Sequence, residues 1–275
     1  MKTTVFLLLF SAQVVAQYHT RLEPATIEVH YRHTMQRDTV RRLATETDSM
    51  ILRIGARASQ FFSRHTFYYD SLWNDPEGRA TAEALTLEAF RTRDHSKEPR
   101  VGTTYDYLYK NYPAGRVTTT NEQFHVACRY NEATPSISWG MADSIRMILG
   151  HPCRMATADF RGRHWTAWFA TDIPVSDGPW KLGGLPGLIL EAYDEGRQHV
   201  FTAVGLERVK DELIIFNRPF RGNHRFEQTN RLEFLRMERR FLMDSNSFIQ
   251  METGIDLLGD EPNQVMRYDL LERDY

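Results

Sequence analysis

Ten histidines, two cysteines and a set of carboxylates between residues 159 and 194 are the residues of this sequence that could bind metal or catalyse. His30 and His33 stand three apart in an alternating segment, so a strand would send them to opposite faces and they would not chelate one ion together. His151 and Cys153 share a strand face, but Pro152 bends the chain between them and no further ligand stands near. Asp159, Asp172, Asp177, Glu191 and Asp194 could supply a carboxylate pair for acid–base work, although each also fits a turn or a solvated strand face. There is no GxSxG elbow, HExxH, P-loop, or GxGxxG after a strand. The cluster Gly183-Gly184-Leu185-Pro186-Gly187 lacks the spacing and the following helix that a phosphate site needs. The expectation is no catalytic residue, no metal site and no cofactor.

Cys128 and Cys153 are the only cysteines and neither belongs to a CxxC, which argues against thiol redox catalysis. An oxidising compartment would permit a Cys128–Cys153 disulfide, and a pair of buried free thiols fits the same positions. The 34 basic residues nearly cancel the 36 acidic ones, so no basic excess points to nucleic acid. The N-terminus, MKTTVFLLLFSAQVVAQ, has the short basic start, apolar run and small residues of a secretory signal peptide over 1–16, with cleavage expected after Ala16. No segment approaches the roughly 20 apolar residues of a transmembrane helix.

The elements that must position these residues are mostly strands. Ile27, Val29 and Tyr31 alternate with Glu28, His30 and Arg32. Met50–Ile54 and Ala58–Phe62 read as two more strands around Gly55, and Asp75-Pro76 opens a short helix. Short strands are expected over 101–109, 122–130, 135–140 and 144–149. Residues 153–160 and 164–170 flank a tight Arg161-Gly162 turn, and 188–193 pairs with 199–204 around Asp194–Arg197. A stripe of Phe226, Asn230, Phe234, Met237 and Phe241 reads as a helix, with Glu227 and Arg231 at i,i+4. The expected fold is mainly β (α+β): a curved antiparallel sheet or half-barrel meander with a C-terminal helix packed on it, one domain over 17–275.

Between the two hairpins runs IPVSDGPWKLGGLPG, residues 173–187, with three prolines and four glycines. It is too apolar to be left in water, and its prolines lower the entropy lost on ordering. Two readings fit it. The loop plugs an open end of the sheet with Trp180 and Leu185, or it shapes a binding surface from Asp177, Trp180, Lys181, Leu182, Gly184, Leu185, Pro186 and Gly187. The plug reading predicts that Gly184→Val and Pro186→Ala harm folding more than Lys181→Ala.

The string GLPGLI at 184–189 resembles the motif that names the GLPGLI family, exported proteins of Gram-negative Bacteroidetes-type bacteria. Residues 148–190 resemble the family's central block, 51–71 its N-terminal block, and RYDLLER near the C-terminus its ending. The resemblance implies an exported protein of the periplasm or outer-membrane periphery. It brings no established activity and no catalytic residues. Trp165 and Trp168, on opposite strand faces, fit a bent sheet holding an apolar ligand, by architectural analogy with lipoprotein carriers. The expected role is therefore a binding or accessory protein, with an apolar groove or loop surface for a lipid, lipoprotein or envelope protein. An interaction module presenting the loop or a sheet edge is the alternative, and an envelope hydrolase a third.

Overall fold

The computed structural model describes residues 19–36, 38, 45–122, 127–217, 225–254, 256 and 269–275. The expected signal peptide lies outside them. Strands open the described chain: β1 (His19–Pro24), β2 (Ile27–Met35), β3 (Glu46–Ile54) and β4 (Ser59–Ser63). The alternation in β2 turns Val29 and Tyr31 into the core and leaves His30 on the other face. Two helices follow, α1 (Arg64–Asn74) and α2 (Pro76–Thr92). Asp75 caps α2 by accepting the Gly78 N–H at 2.7 Å, with Pro76 preset at the first helical position. The expected short helix is thus the second arm of a helical pair. Its first arm is rich in aromatic residues and has no strong apolar stripe to announce it.

The meander continues through β5 (Asp106–Lys110), β6 (Arg116–Asn121), β7 (Cys128–Ala133), β8 (Gly140–Ile148), β9 (His151–Phe160) and β10 (Arg163–Ala170). It ends with β11 (Leu188–Asp194), β12 (His199–Arg208), β13 (Leu213–Asn217) and β14 (Glu227–Gln228). The strands expected at 101–109 and 122–130 are shifted to β5 and β7, with residues 123–126 outside the described chain. Those expected at 135–140 and 144–149 are one strand, β8. At the β9–β10 turn Arg161 and Gly162 both take positive φ, 54° and 74°, as a two-residue hairpin of matching twist requires.

Among the described residues twelve strands form one sheet in the order β14-β7-β6-β5-β4-β3-β2-β12-β11-β10-β9-β8, antiparallel except for the β14–β7 pair. β1 and β13 make a separate two-stranded sheet. The large sheet curls. β7 and β10 are eight positions apart, about 38 Å in a flat sheet, yet Glu132 of β7 is ion-paired with Arg161 at the β10 end. The two halves consequently share one core. Val29, Met50, Leu52 and Leu108 from one side meet Trp165, Phe169, Ile189 and Phe201 from the other. The Tyr31 hydroxyl donates to the Ile189 carbonyl at 2.6 Å.

At the C-terminal end α3 (Arg231–Met243) and α4 (Ser245–Thr253) are joined at Asp244, which caps α4 through the Ser247 N–H at 2.9 Å. Phe234 and Leu235 pack in one cluster with Cys128 and Tyr130 of β7. The expected stripe begins too early: Asn230 is the cap of α3, accepting the Glu233 N–H at 3.0 Å, and Glu227 lies in β14. Glu227 and Arg231 are therefore not a helical i,i+4 pair. Residues 269–275 lie along the β9–β10 hairpin, with Arg273 N–H bonded to the Arg161 carbonyl at 3.0 Å. Cys128 and Cys153 are free thiols in different clusters, so no disulfide joins them. Burial pushes both thiols up to about 11, which keeps them protonated and unreactive at neutral pH. Among the described residues no helix is long and apolar enough to cross a membrane.

Candidate functional site

The loop between β10 and β11, residues 171–187, is fixed by backbone shape, by one lysine and by burial. Gly187 passes so close to β10 that a Cβ there would stand 2.0 Å from the Ala170 carbonyl oxygen. Gly184 takes φ +84°, a conformation that branched residues resist. The Lys110 ammonium, reaching across from β5, donates to Asp177 Oδ1 at 2.6 Å, to the Gly178 carbonyl at 2.6 Å and to the Leu182 carbonyl at 3.2 Å. These use all three of its donors. Trp139 adds an indole bond to the Gly183 carbonyl at 2.8 Å.

The sequence-selected residues then divide. Trp180, Leu182 and Leu185 are buried in the main core, with the Trp180 ring 5.7 Å from Trp165 and 5.6 Å from Phe160. Gly184 and Pro186 are exposed. Trp168 joins the same core, and the Arg146 guanidinium lies 4.2 Å over its ring while pairing with Glu191. The two tryptophans of β10 are thus both covered.

Lys181 is the surprise of the loop. Its side chain is 1% exposed and its ammonium contacts Tyr130 Oη at 3.1 Å, Glu132 Oε1 at 2.5 Å and Glu272 Oε1. Arg231 pairs with Glu272 at 2.5 Å and Asp274 at 2.8 Å, and Arg161 bonds Glu132 and reaches Asp274 at 3.3 Å. Three cations and three carboxylates balance one another here. Burial alone would lower the Lys181 pKa, but Tyr130, Glu272 and Glu132 outweigh it and hold the ammonium charged. A lysine so held is neither a base nor a nucleophile. Beside it Asp106 is pushed up to about 6 by burial, opposed by the Asn121 amide at 2.7 Å and by Lys181.

Two spaces flank the loop. One is a cavity of about 100 Å³ lined by Asp106, Tyr130, Trp180, Glu272 and the His33–His199 pair, whose ring nitrogens are 3.2 Å apart. It brings carboxylates and histidines together, but it is well below the roughly 300–1,000 Å³ of small-molecule sites. The other is an open cleft of about 390 Å³ between the β3–β4 turn, Lys110, Pro135 and residues 175–184. Asp177, Lys181, Leu182 and Gly184 of the sequence-selected set line it, and the Lys110–Asp177 pair leaves it without net charge from those two groups.

The sequence reading did not single out β8. Among the described residues this strand ends the large sheet, and it exposes Met141 (48%), Ile145 (68%), Met147 (63%) and Leu149 just beyond its end (44%). Its even-numbered side, with Arg146 and Ile148, covers Trp168 and the core. A strand over 144–149 was legible. That the strand ends the sheet was not.

No curated protein matches the chain. Two solved structures, "Structure of PNGF-II in C2 space group" and "Structure of PNGF-II in P21 space group", are similar at 13% identity and a TM-score of 0.48, covering 78% of this chain. They are covered over 32% and 33% of their own length, so the chain spans about a third of the solved structures it matches. Residues 161–191, which run from the β9–β10 turn through the loop into β11, match a family model described as "Protein of unknown function (Porph_ging)".

Proposed function

We propose that this chain is an exported envelope protein of the GLPGLI type that works without catalysis, by holding an extended segment of another envelope protein along the outer edge of β8. The motif at 184–189, the family match at 161–191 and the leader-like residues 1–16 support the type and the destination, the periplasm or outer-membrane periphery of a Gram-negative bacterium. The exposed apolar edge carries the binding mode. Edge strands are normally blunted by charge, proline or shortness. Among the described residues the nine of β8 end the sheet, and beyond the charge at Asp143 they put three large apolar side chains in water, with a fourth next to them. An added strand would satisfy the outer backbone groups and cover that strip, which is β-augmentation. A register shift between Met141 and Ile145 marks Ile145–Ile148 as the regular stretch on which it would seat.

Native mass spectrometry of the mature chain recovered gently from the envelope tests this. We expect a second polypeptide bound to the wild type and lost from Ile145→Lys/Met147→Lys, with unchanged melting temperature. A complex that survives the double substitution, or a wild type recovered without a polypeptide partner, contradicts the edge reading. A second reading, an apolar ligand in the 390 Å³ cleft, is favoured by its lining of Ile54, Ala58, Val117, Val175 and Leu182. Its signature in the same experiment is a lipid-sized mass increment that the double variant retains.

A further inference from the structure

We infer that Glu28, His30 and Glu207 form a binding site for a divalent transition-metal ion of the zinc type, on the face of the sheet opposite the core. Among the described residues this is the one group whose ligand atoms converge, all lying within 4.8 Å of one another. Glu28 and His30 stand two apart on β2 and share a face. Their partner comes from the neighbouring strand by way of a bulge. The β2–β12 register runs Tyr31 with Ala203 and then His30 with Gly205, so Val204 is the extra residue. Without it, Val204 and Leu206 would oppose His30 and Glu28. With it, the His30 ring lies over Gly205 and Glu207 stands opposite Glu28.

The distances suit a metal. His30 Nε2 is 3.2 Å from Glu28 Oε1 and 3.2 Å from Glu207 Oε1. A tetrahedron with metal–ligand arms of about 2.0–2.1 Å has edges of about 3.3 Å. Arg53 supplies the outer support that metal ligands usually have. Its Nε donates to Glu28 Oε2 at 2.8 Å, which leaves Oε1 for the site, and its Nη2 pairs with Glu212. Glu28, Glu207 and Glu212 against Arg53, with His30 neutral, sum to −2, the charge one divalent ion cancels. Glu28 is buried while the Glu207 side chain is 60% exposed, so the site has a fixed floor and a side open to water ligands. One imidazole and two carboxylates suit zinc and its neighbours rather than calcium or magnesium. Spacing along the sequence sets His30 against His33 and hides the site, because Glu207 is 177 residues away.

The same three groups could instead share a proton on His30, and a titration separates the two. Zn²⁺ is titrated calorimetrically into the tag-free mature chain after chelator treatment, alongside His30→Gln, Glu207→Gln and a control, His164→Gln, whose exposed ring pairs only with Asp159 in the ion pairs seen. We expect one ion per wild-type chain, affinity about tenfold or more weaker in the two site variants, and no change in the control. Cobalt loaded in place of zinc should give a visible band of low-coordinate geometry that Glu207→Gln removes. Should His30→Gln fail to fold, the exposed Glu207→Gln carries the comparison. Absence of saturable binding to the wild type, or equal affinity in wild type and Glu207→Gln, overturns the site.

Discussion

At the scale of single residues, Lys181 of the loop matters more than Pro186. Lys181 is buried among Tyr130, Glu132 and Glu272, and removing it leaves Glu132, Glu272 and Asp274 with two cations, Arg161 and Arg231, in place of three. Breaking a buried ion pair from one side costs about 3–5 kcal/mol. Pro186 is exposed, and Gly184→Val adds strain of about 1–3 kcal/mol at φ +84°. In urea unfolding we expect Lys181→Ala to lose most, Gly184→Val less and Pro186→Ala least, reversing the order that the loop's sequence predicts for Lys181 against both Gly184 and Pro186. Asp106 gives a second, opposite effect. Its folded pKa of about 6 lies above the ordinary 3.8, with burial the main cause. Between those values the folded state keeps a proton that the unfolded chain has lost. Its contribution to stability is therefore best at acid pH and falls as pH rises, to a penalty on the order of 3 kcal/mol above about pH 6. Asp106→Asn keeps an oxygen for the Asn121 amide and removes that penalty. Its melting temperature should equal the wild type's near about pH 4 and exceed it increasingly up to about pH 6 and beyond. Parallel curves for the two proteins would contradict the assignment.

At the scale of elements, what was legible in the sequence was local. The β9–β10 hairpin is announced by Arg161-Gly162, and α2 by Asp75-Pro76, because a turn and a cap act on residues two or three apart. The missed elements depend on distant partners. β1 has meaning only against β13, whose paired residues lie 189 to 198 positions away. β6 reads RVTTTN, polar by composition, yet Thr118, Thr119, Thr120 and Asn121 are all buried, which means that both faces of the strand are covered. α1 is missed because RHTFYYDSLWN carries the aromatic content of a strand. The site divides in the same way. Trp180 and Leu185 could be assigned to a packed loop from their own character. Lys181 could not, because Tyr130 and Glu272 stand 51 and 91 residues away. The metal triad fails for the same reason, compounded by a bulge that no residue in 203–205 signals except Gly205.

At the scale of the molecule, the question is what keeps a twelve-stranded sheet curled so that β7 meets the β10 end. The core supplies the drive, but the closure itself passes through the last seven residues. The fully buried Arg163 guanidinium donates to the Leu270 carbonyl at 2.6 Å and the Leu271 carbonyl at 2.8 Å, as well as to Asp194 and Gln198. Glu272 and Asp274 supply two of the three carboxylates that neutralise Lys181, Arg161 and Arg231. Ending the chain after residue 268 would leave those three cations with Glu132 alone and strip Arg163 of two acceptors. Uncompensated buried charge is the most expensive defect available to a core. We expect a loss of roughly 5 kcal/mol or more, seen as a fall of about 10 °C or more in melting temperature. The electrostatic origin can be isolated. If unpaired cations are the cause, truncation in a Lys181→Met background should cost distinctly less than in the wild type, since one of the stranded charges is already gone. Equal costs in the two backgrounds would assign the tail's effect to packing of Leu270 and Leu271, and a truncated chain that melts with the wild type would place the closure in the core alone.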